Sequence, residues 1–572
     1  MRRVPPGLAW SGVLTLLALA PVLRPGYLLS YDMVATPRQD LLPGSVGLGS
    51  APPRAVPVDA VVAALTSVVD GQLVQKAALL GALLLAGAGA ARLVDAAPGW
   101  VRAAAAGLYL WNPYVAERLV LGSWVLLLGY AALPWVLDAA RRIRRDEPGG
   151  WPRLVLPMVL AALAPTGGLL AAAVATAAVG PGARRRIAAA AAAAVLNGPW
   201  WVPAMLQRGT GASDDAGVAA FAARAESWAG TLGSLLGLGG VWNAGVVPAS
   251  RGTVVAPLLT AVVLALAAAG LRPLARSWGA GVFRPVAGLA VAGLLLAVAG
   301  SWPLTADVLA AAVRTVPGAG LFRDGQKWVA LLALPLAPAA ALGAARWAER
   351  LAAPATRRAV AVAALALPLA VLPDLAWGAF GRLQPVDYPA DWPAVRALLQ
   401  GDPRPGDVVA VPYAAFRAFE WNGGRTVLDP APRWLPRPVV ADDRLAVGPT
   451  LVAGEDPRAS AATAALEPGR PVDVPQLSRL GIGWVLVEHR TPGPPLPGLN
   501  GLEPAYGGPD LSLYRLPGDP AAAPDSAPAA AVLLADAAAL ALLAAAAAGV
   551  AITARRRSRG ELPAGRVPVS PD

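Results

Sequence analysis

The sequence predicts a polytopic α-helical membrane protein of about ten to twelve membrane helices, carrying an extracytoplasmic α/β domain near its C-terminus. Composition is the first reason. Of the 572 residues, 56% are hydrophobic and 15% charged, the mean hydropathy is +0.53, and soluble domains carry roughly 25% charged residues. The second reason is length, because several apolar runs reach the roughly 20 residues that cross a hydrocarbon core. The third is the arginine pattern, short blocks between those runs rather than an even spread.

In a bilayer the backbone must satisfy its own hydrogen bonds as helix or closed barrel, and Ala/Leu/Val runs without alternation select helix. Threading the runs in turn puts Arg2–Arg3, Arg92/Arg102, Arg141 to Arg145, Arg184 to Arg186, Arg272/Arg276, Arg346 to Arg358 and Arg555 to Arg557 on one face. The positive-inside bias makes that face cytoplasmic. Spans are then expected over 7–24, 74–91, 102–112, 121–139, 187–206, 254–271, 285–301, 327–345, 359–377 and 528–551, with both termini cytoplasmic. The first run resembles a signal peptide ending at Ala18-Leu19-Ala20, but Pro21 disfavours cleavage, so it is kept as a helix. Residues 152–180 are too few for two full spans at 1.5 Å per residue. They are expected to form a re-entrant pair of short helices turning at Pro165-Thr166-Gly167-Gly168, with two spans of shifted ends as the alternative. With its arginines assigned to the membrane, the net charge of +12 calls for no nucleic-acid partner. The absence of cysteine excludes disulfides and thiolate chemistry.

This threading divides the chain into a membrane module over 1–377 with a long first external loop over 25–73, an external domain over 378–527, a final helix over 528–551 and a basic tail over 552–572. Loops longer than about 15 residues are usually functional or disordered. Residues 378–527 hold many prolines and glycines, most of the remaining acids and the single histidine, His489. There 406–412 and 482–488 read as short buried strands, and 388–399 as a capped helix. Residues 516–527 read as a linker, and the polar tail from 558 as disordered.

Candidate chemistry gathers where external loops meet the membrane. Asp32, in Tyr27-Leu28-Leu29-Ser30-Tyr31-Asp32-Met33, is an acid in an apolar-aromatic setting whose desolvation suits it to general-base work. The same residue also reads as an ordinary loop acid or helix cap. Asp40 and Asp59, further along, read as solvated. In Asn112-Pro113-Tyr114-Val115-Ala116-Glu117-Arg118, the charged pair cannot face lipid cheaply. Arg118 suits a phosphate and Glu117 a metal or a sugar hydroxyl, and a structural ion pair is the alternative. In Phe322-Arg323-Asp324-Gly325-Gln326-Lys327-Trp328, Arg323 and Lys327 suit a phosphate at headgroup level, or merely snorkel to the interface. The 19 tryptophans fit an interfacial belt better than sugar stacking.

These loops and the overall layout resemble the GT-C superfamily of polyprenyl-phosphate-dependent membrane glycosyltransferases, most of all actinobacterial cell-envelope enzymes of the arabinofuranosyl- and mannosyltransferase-like kind. The resemblance implies a polyprenyl-phosphate-linked sugar donor and a cell-envelope glycan or lipid acceptor at the outer face. It also implies Asp32 as base, with Arg118, Arg323 and Lys327 stabilising the leaving phosphate. The first loop departs from the family in having one acid and no Asp-x-Asp pair, which counts against a tightly bound divalent cation such as Mg2+ or Mn2+. A transporter or flippase of lipid-linked precursors, and a non-catalytic glycan-binding protein, remain the competing readings.

Overall fold

The computed structural model describes residues 4–49, 51–207, 213–521 and 528–559. Arg2–Arg3, residues 522–527 of the expected linker and the tail beyond 559 lie outside the described residues. Among the described residues, eight helices are long and apolar enough to cross a membrane. They comprise Pro6–Leu23, containing α1 (Pro6–Leu19); α3 (Gly71–Arg92), which follows the short α2 (Val58–Thr66); and Ala183–Leu206, Val255–Trp278, Ala280–Ala299, Gly325–Glu349, Pro354–Val371 and the terminal helix Ala529–Ser558. The chain is therefore a multi-pass helical membrane protein with a sheet-containing domain, as its patterning predicts.

The stretch expected as spans 102–112 and 121–139 keeps the second as one 21-residue helix, shifted by a few residues, and builds the first differently. It forms α4 (Gly99–Leu110), α5 (Pro113–Val120) and α6 (Trp124–Arg144). At 12 residues α4 is too short to span, and Ala103 through Leu110 are all buried, so it is a core helix. Asn112 stops it and caps α5, accepting from the Val115 N–H at 3.1 Å. Residues 152–180, expected as a re-entrant pair or as two spans with shifted ends, fall in two short helices, α7 (Gly150–Ala162) and α8 (Pro165–Ala178). Helices of 13 and 14 residues reach only about 20 Å, short of a hydrocarbon core of roughly 30 Å. The turn falls at Leu163 and Ala164, since Pro165 takes the first helical position, where its missing N–H costs nothing.

Several of the described arginine blocks meet at one end of the module, here called the basic end. Arg185 pairs with Asp146 at 2.6 Å, the Trp278 indole donates to the Leu93 carbonyl at 3.0 Å, and Arg141 reaches the Leu93 and Ser277 carbonyls at 3.5 Å. The opposite end carries the α/β domain. Its five-stranded mixed sheet runs Val439–Val440, Asp407–Val411, Ile482–Glu488, Leu511–Arg515, Glu503–Gly507, with the first three parallel. Strand alternation divides the core. Val408 and Ala410 face the helix Asp391–Gly401 through Trp392, Val395 and Leu399, while Val409 and Val411 face the helix Pro457–Ala465 through Ala459 and Ala462.

The long first loop is not an independent appendage. Tyr27, Leu29 and Val34 belong to the same core as Trp392 and Trp484. Tyr27 exchanges backbone hydrogen bonds with Val386 at 2.8 and 3.0 Å, and Tyr31 pairs with the Val427 segment through Thr426 and Leu428 at 2.7 Å each. The loop is thereby clamped between membrane module and domain. Asp40 and Asp59 are consequently not free loop acids, for Asp40 pairs with Arg396 and Asp59 with Arg433 at 3.2 Å.

Candidate active site

Asp32 sits on a tight turn closed by Ser30–Met33 backbone bonds of 2.9 and 3.1 Å. The turn is held against the end of α5 by Ser30 Oγ donating to Val120 O at 2.7 Å and Asp32 N–H donating to Leu121 O at 3.1 Å. Gly122 makes this approach available. Its φ is +81°, and a Cβ there would fall 2.2 Å from Met33 N and 2.4 Å from Ser30 O.

The Asp32 side chain is exposed, but to a cavity rather than to open water. Surrounding protein raises its pKa by desolvation, and Lys327, Arg433 and Arg118 oppose that rise. The cavity has a volume of about 220 Å³ and is lined by Asp32, Arg118, Arg323, Asp324, Lys327 and Trp242, among others. Four of the five residues singled out in the sequence thus converge, from segments as far apart as the first loop and residues 323–327.

Their charges are largely spoken for. Arg118 is wholly buried and lies fork-to-fork on Asp324 at 2.7 and 2.8 Å, with Nε donating to Gln326 at 2.8 Å. It therefore forms wall rather than an open phosphate site, and its ion-pair partner is Asp324, not the neighbouring Glu117. Burial would raise the Asp324 pKa, but Arg118 and Lys327 outweigh it and hold the group below the usual carboxylate range. Arg323 bonds Glu455 of the domain at 3.1 Å and lies over the Phe221 ring at 5.7 Å. Lys327 stands 3.8 Å from Asp324 and is partly exposed to the cavity.

Glu117 requires a correction. It has no exposed surface and turns away from the cavity, accepting from Gln326 Nε2 at 3.2 Å. Burial, then the charge of Glu226 and a hydrogen bond with it, push Glu117 well above the ordinary carboxylate range. Glu226 in turn pairs with buried Arg251 at 2.8 Å. Glu117 thus belongs to a polar layer under the site and is not placed to hold a metal or a sugar. Among the described residues no three acids or histidines gather, and Asp324 is already bound by Arg118.

Two further cavities adjoin the first. One, of about 170 Å³, shares Asp32 and Ser123 with it and runs between α2, α3 and the turn joining α7 to α8, past Val58, Val62, Trp124 and Leu163. The other, of about 730 Å³, shares Tyr31, Trp242, Phe416 and Leu445 and lies between the domain and residues 242–245, with Arg224, Asp442 and Arg444 on its walls. Asp32 stands where the first cavity meets the second, whose walls are apolar at Val58, Val62 and Trp124 and charged at Arg54, Asp59 and Arg433. Arg433, between Asp32 and Asp59, was not singled out in the sequence; neither were Asp324, Gln326 and Glu226. Only Asp324 left a signal there, an acid three residues before Lys327.

No family model and no curated protein matches the chain. Among solved structures it is similar to two cryo-EM structures of the arabinofuranosyltransferase AftD from Mycobacteria, the second of them a mutant in its class 2 form. Each has a TM-score of 0.55 and 18% sequence identity and covers 91% of this chain, against 40% and 42% of the AftD chains. This chain thus spans about two fifths of the length of the proteins it matches. The resemblance to GT-C cell-envelope glycosyltransferases expected from the sequence is borne out as a shared fold, that of the AftD membrane protein.

Proposed function

We propose that this chain is a membrane glycosyltransferase of the cell envelope, moving a sugar from a polyprenyl-phosphate donor to a glycan or lipid acceptor on the outer face, with Asp32 as the base. The observation that carries the reading is the position of Asp32 at the junction of the cavities. The nearby cations Lys327 and Arg433 pair with Asp324 and Asp59 rather than with it. A lipid-linked donor is an amphiphile, and the apolar side of the smaller cavity, along Val58, Val62 and Trp124, suits its chain. The polar, aromatic-edged cavity on the other side suits a sugar.

In this mechanism the Asp32 carboxylate takes the proton from an acceptor hydroxyl as its oxygen bonds the anomeric carbon. The bond from that carbon to the donor phosphate breaks, and the lipid phosphate leaves with the electron pair. Lys327, the partly exposed cation of the cavity, stabilises the growing charge, with Arg323 at the rim. Arg118 acts by fixing Asp324, which in turn positions Lys327.

Asp32→Asn retains shape and loses the base, so transfer from a lipid-phosphate sugar pool in membranes should fall about 100- to 10,000-fold at matched expression. Asp307→Asn, an exposed acid on the helix Pro303–Thr315, is the silent control. Transfer at the wild-type rate by the Asp32 variant would sink the mechanism. Lys327→Met and Arg323→Gln should raise the apparent donor requirement more than the acceptor requirement.

A further inference from the structure

We propose that a cleft at the basic end of the membrane module binds an anionic phospholipid. The cleft has a volume of about 460 Å³ and lies between α3, α6, α7 and the terminal helix, which contributes Val550. One end is polar, formed by Arg92, Asp138 and Arg153, and the interior is apolar, formed by Leu85, Leu156 and Leu160. Arg153 and Leu160 are seven residues apart on one helix, so charge and hydrocarbon are separated by about 10 Å. That is the polarity profile of a lipid headgroup followed by the first part of an acyl chain.

The charges at the mouth do not cancel. Asp138 takes Arg92 at 3.2 Å and Arg142 at 3.1 Å, and Glu147 takes Arg142 and Arg145 at 2.9 Å each. Arg153 pairs with no carboxylate among the described residues and bonds only the Pro148 and Gly149 carbonyls, at 3.2 and 3.4 Å. It stands in electrostatic range of Arg557, Arg142 and Arg92, all of its own sign, and of one acid, Glu147. Arg92 also lies 5.2 Å from the centre of the Trp135 ring, and the Trp135 indole donates to Leu85 O at 2.9 Å, fixing a flat aromatic wall at the mouth. A phosphodiester supplies the missing negative charge, and its acyl chain fills the apolar part. A free anion leaves that part empty, and a zwitterionic headgroup brings a further cation to an already cationic mouth.

The test is native mass spectrometry of the full chain released from detergent, after exposure to phosphatidylglycerol or to phosphatidylcholine with the same acyl chains. The wild type should retain phosphatidylglycerol over phosphatidylcholine by about fivefold, the worth of one cation contact at headgroup level. Arg153→Gln should abolish the preference. Leu160→Trp, which fills the cleft and keeps every charge, should reduce phosphatidylglycerol retention to a similar degree. Equal retention of the two lipids by the wild type overturns the proposal. So does displacement of the lipid by millimolar inorganic phosphate, which would mark a site for a free anion. Full retention by Leu160→Trp would place the lipid on the surface charge rather than in the cleft, and overturns it equally.

Discussion

Replacing Asp324 with asparagine keeps the size of the side chain and removes the charge that Arg118 faces. The Arg118 guanidinium has no exposed surface. Its two contacts with Asp324, at 2.7 and 2.8 Å, come from both terminal nitrogens onto both carboxylate oxygens. An asparagine can accept one of these and must turn an N–H toward the other. Two charge-assisted bonds at about 1.5–3 kcal/mol each bracket the loss, and cutting one partner of a buried ion pair costs about 3–5 kcal/mol. The two routes agree. The contrast is Asp146→Asn, because Asp146 pairs with Arg185 at 2.6 Å but its side chain is 77% exposed, and surface pairs contribute at most about 1 kcal/mol. The assay is the apparent thermal midpoint of the purified protein in one detergent at one scan rate, since irreversible unfolding makes the midpoint rate-dependent. Asp324→Asn should lower it by several times the Asp146→Asn effect. The double variant Arg118→Met, Asp324→Leu should regain most of the loss, because apolar residues of similar volume replace a buried pair at little cost. Equal midpoints for the two asparagine variants, or a double variant no better than Asp324→Asn, would refute the reasoning.

Three further outcomes are expected. In this cysteine-free chain, a single cysteine at position 420 should react with an impermeant maleimide in intact cells, and one at position 555 only after permeabilisation; the opposite pattern would invert the proposed orientation. Gly122→Ala drives a methyl into the Asp32 turn, so transfer should fall at least tenfold while the helical content seen by circular dichroism is kept; wild-type turnover would show that the turn is not needed. Burial raises the Asp32 pKa and Lys327 is the largest force opposing it, so Lys327→Met should raise that pKa further. A base works only when ionised, so activity is lost as pH falls through its pKa, and the acid limb of the rate profile should move to higher pH; an unmoved limb would detach Asp32 from it.

The elements legible in the sequence are those whose signals are local. The strand Ile482–Glu488 is a continuous apolar run between turns, and the basic end is written in arginine blocks. The short α4 escaped because its periodicity and composition match a span; what makes it a core helix is burial among α1, α3 and the helix Ala330–Glu349. Asp32 stood out because an acid among aromatics at a helix exit is locally odd.

What the sequence could not show is the pairing that decides the role of each charge. Arg118 and Asp324 are 206 positions apart, and nothing near either residue marks the other as its partner. Read alone, Arg118 and Glu117 are either a free cation and a free acid or an ion pair with each other. Folding gives the first an intimate carboxylate and moves the second into a layer with Glu226 and Arg251. The consequence is chemical. Of three cations counted as phosphate ligands, Arg118 is held by Asp324 and Arg323 reaches Glu455 at the rim, while Lys327 stands 3.8 Å from Asp324 and is the least engaged. Under the proposed function, a site that must release a charged product gains from this arrangement, since three unpaired cations would bind the leaving phosphate as tightly after the reaction as during it.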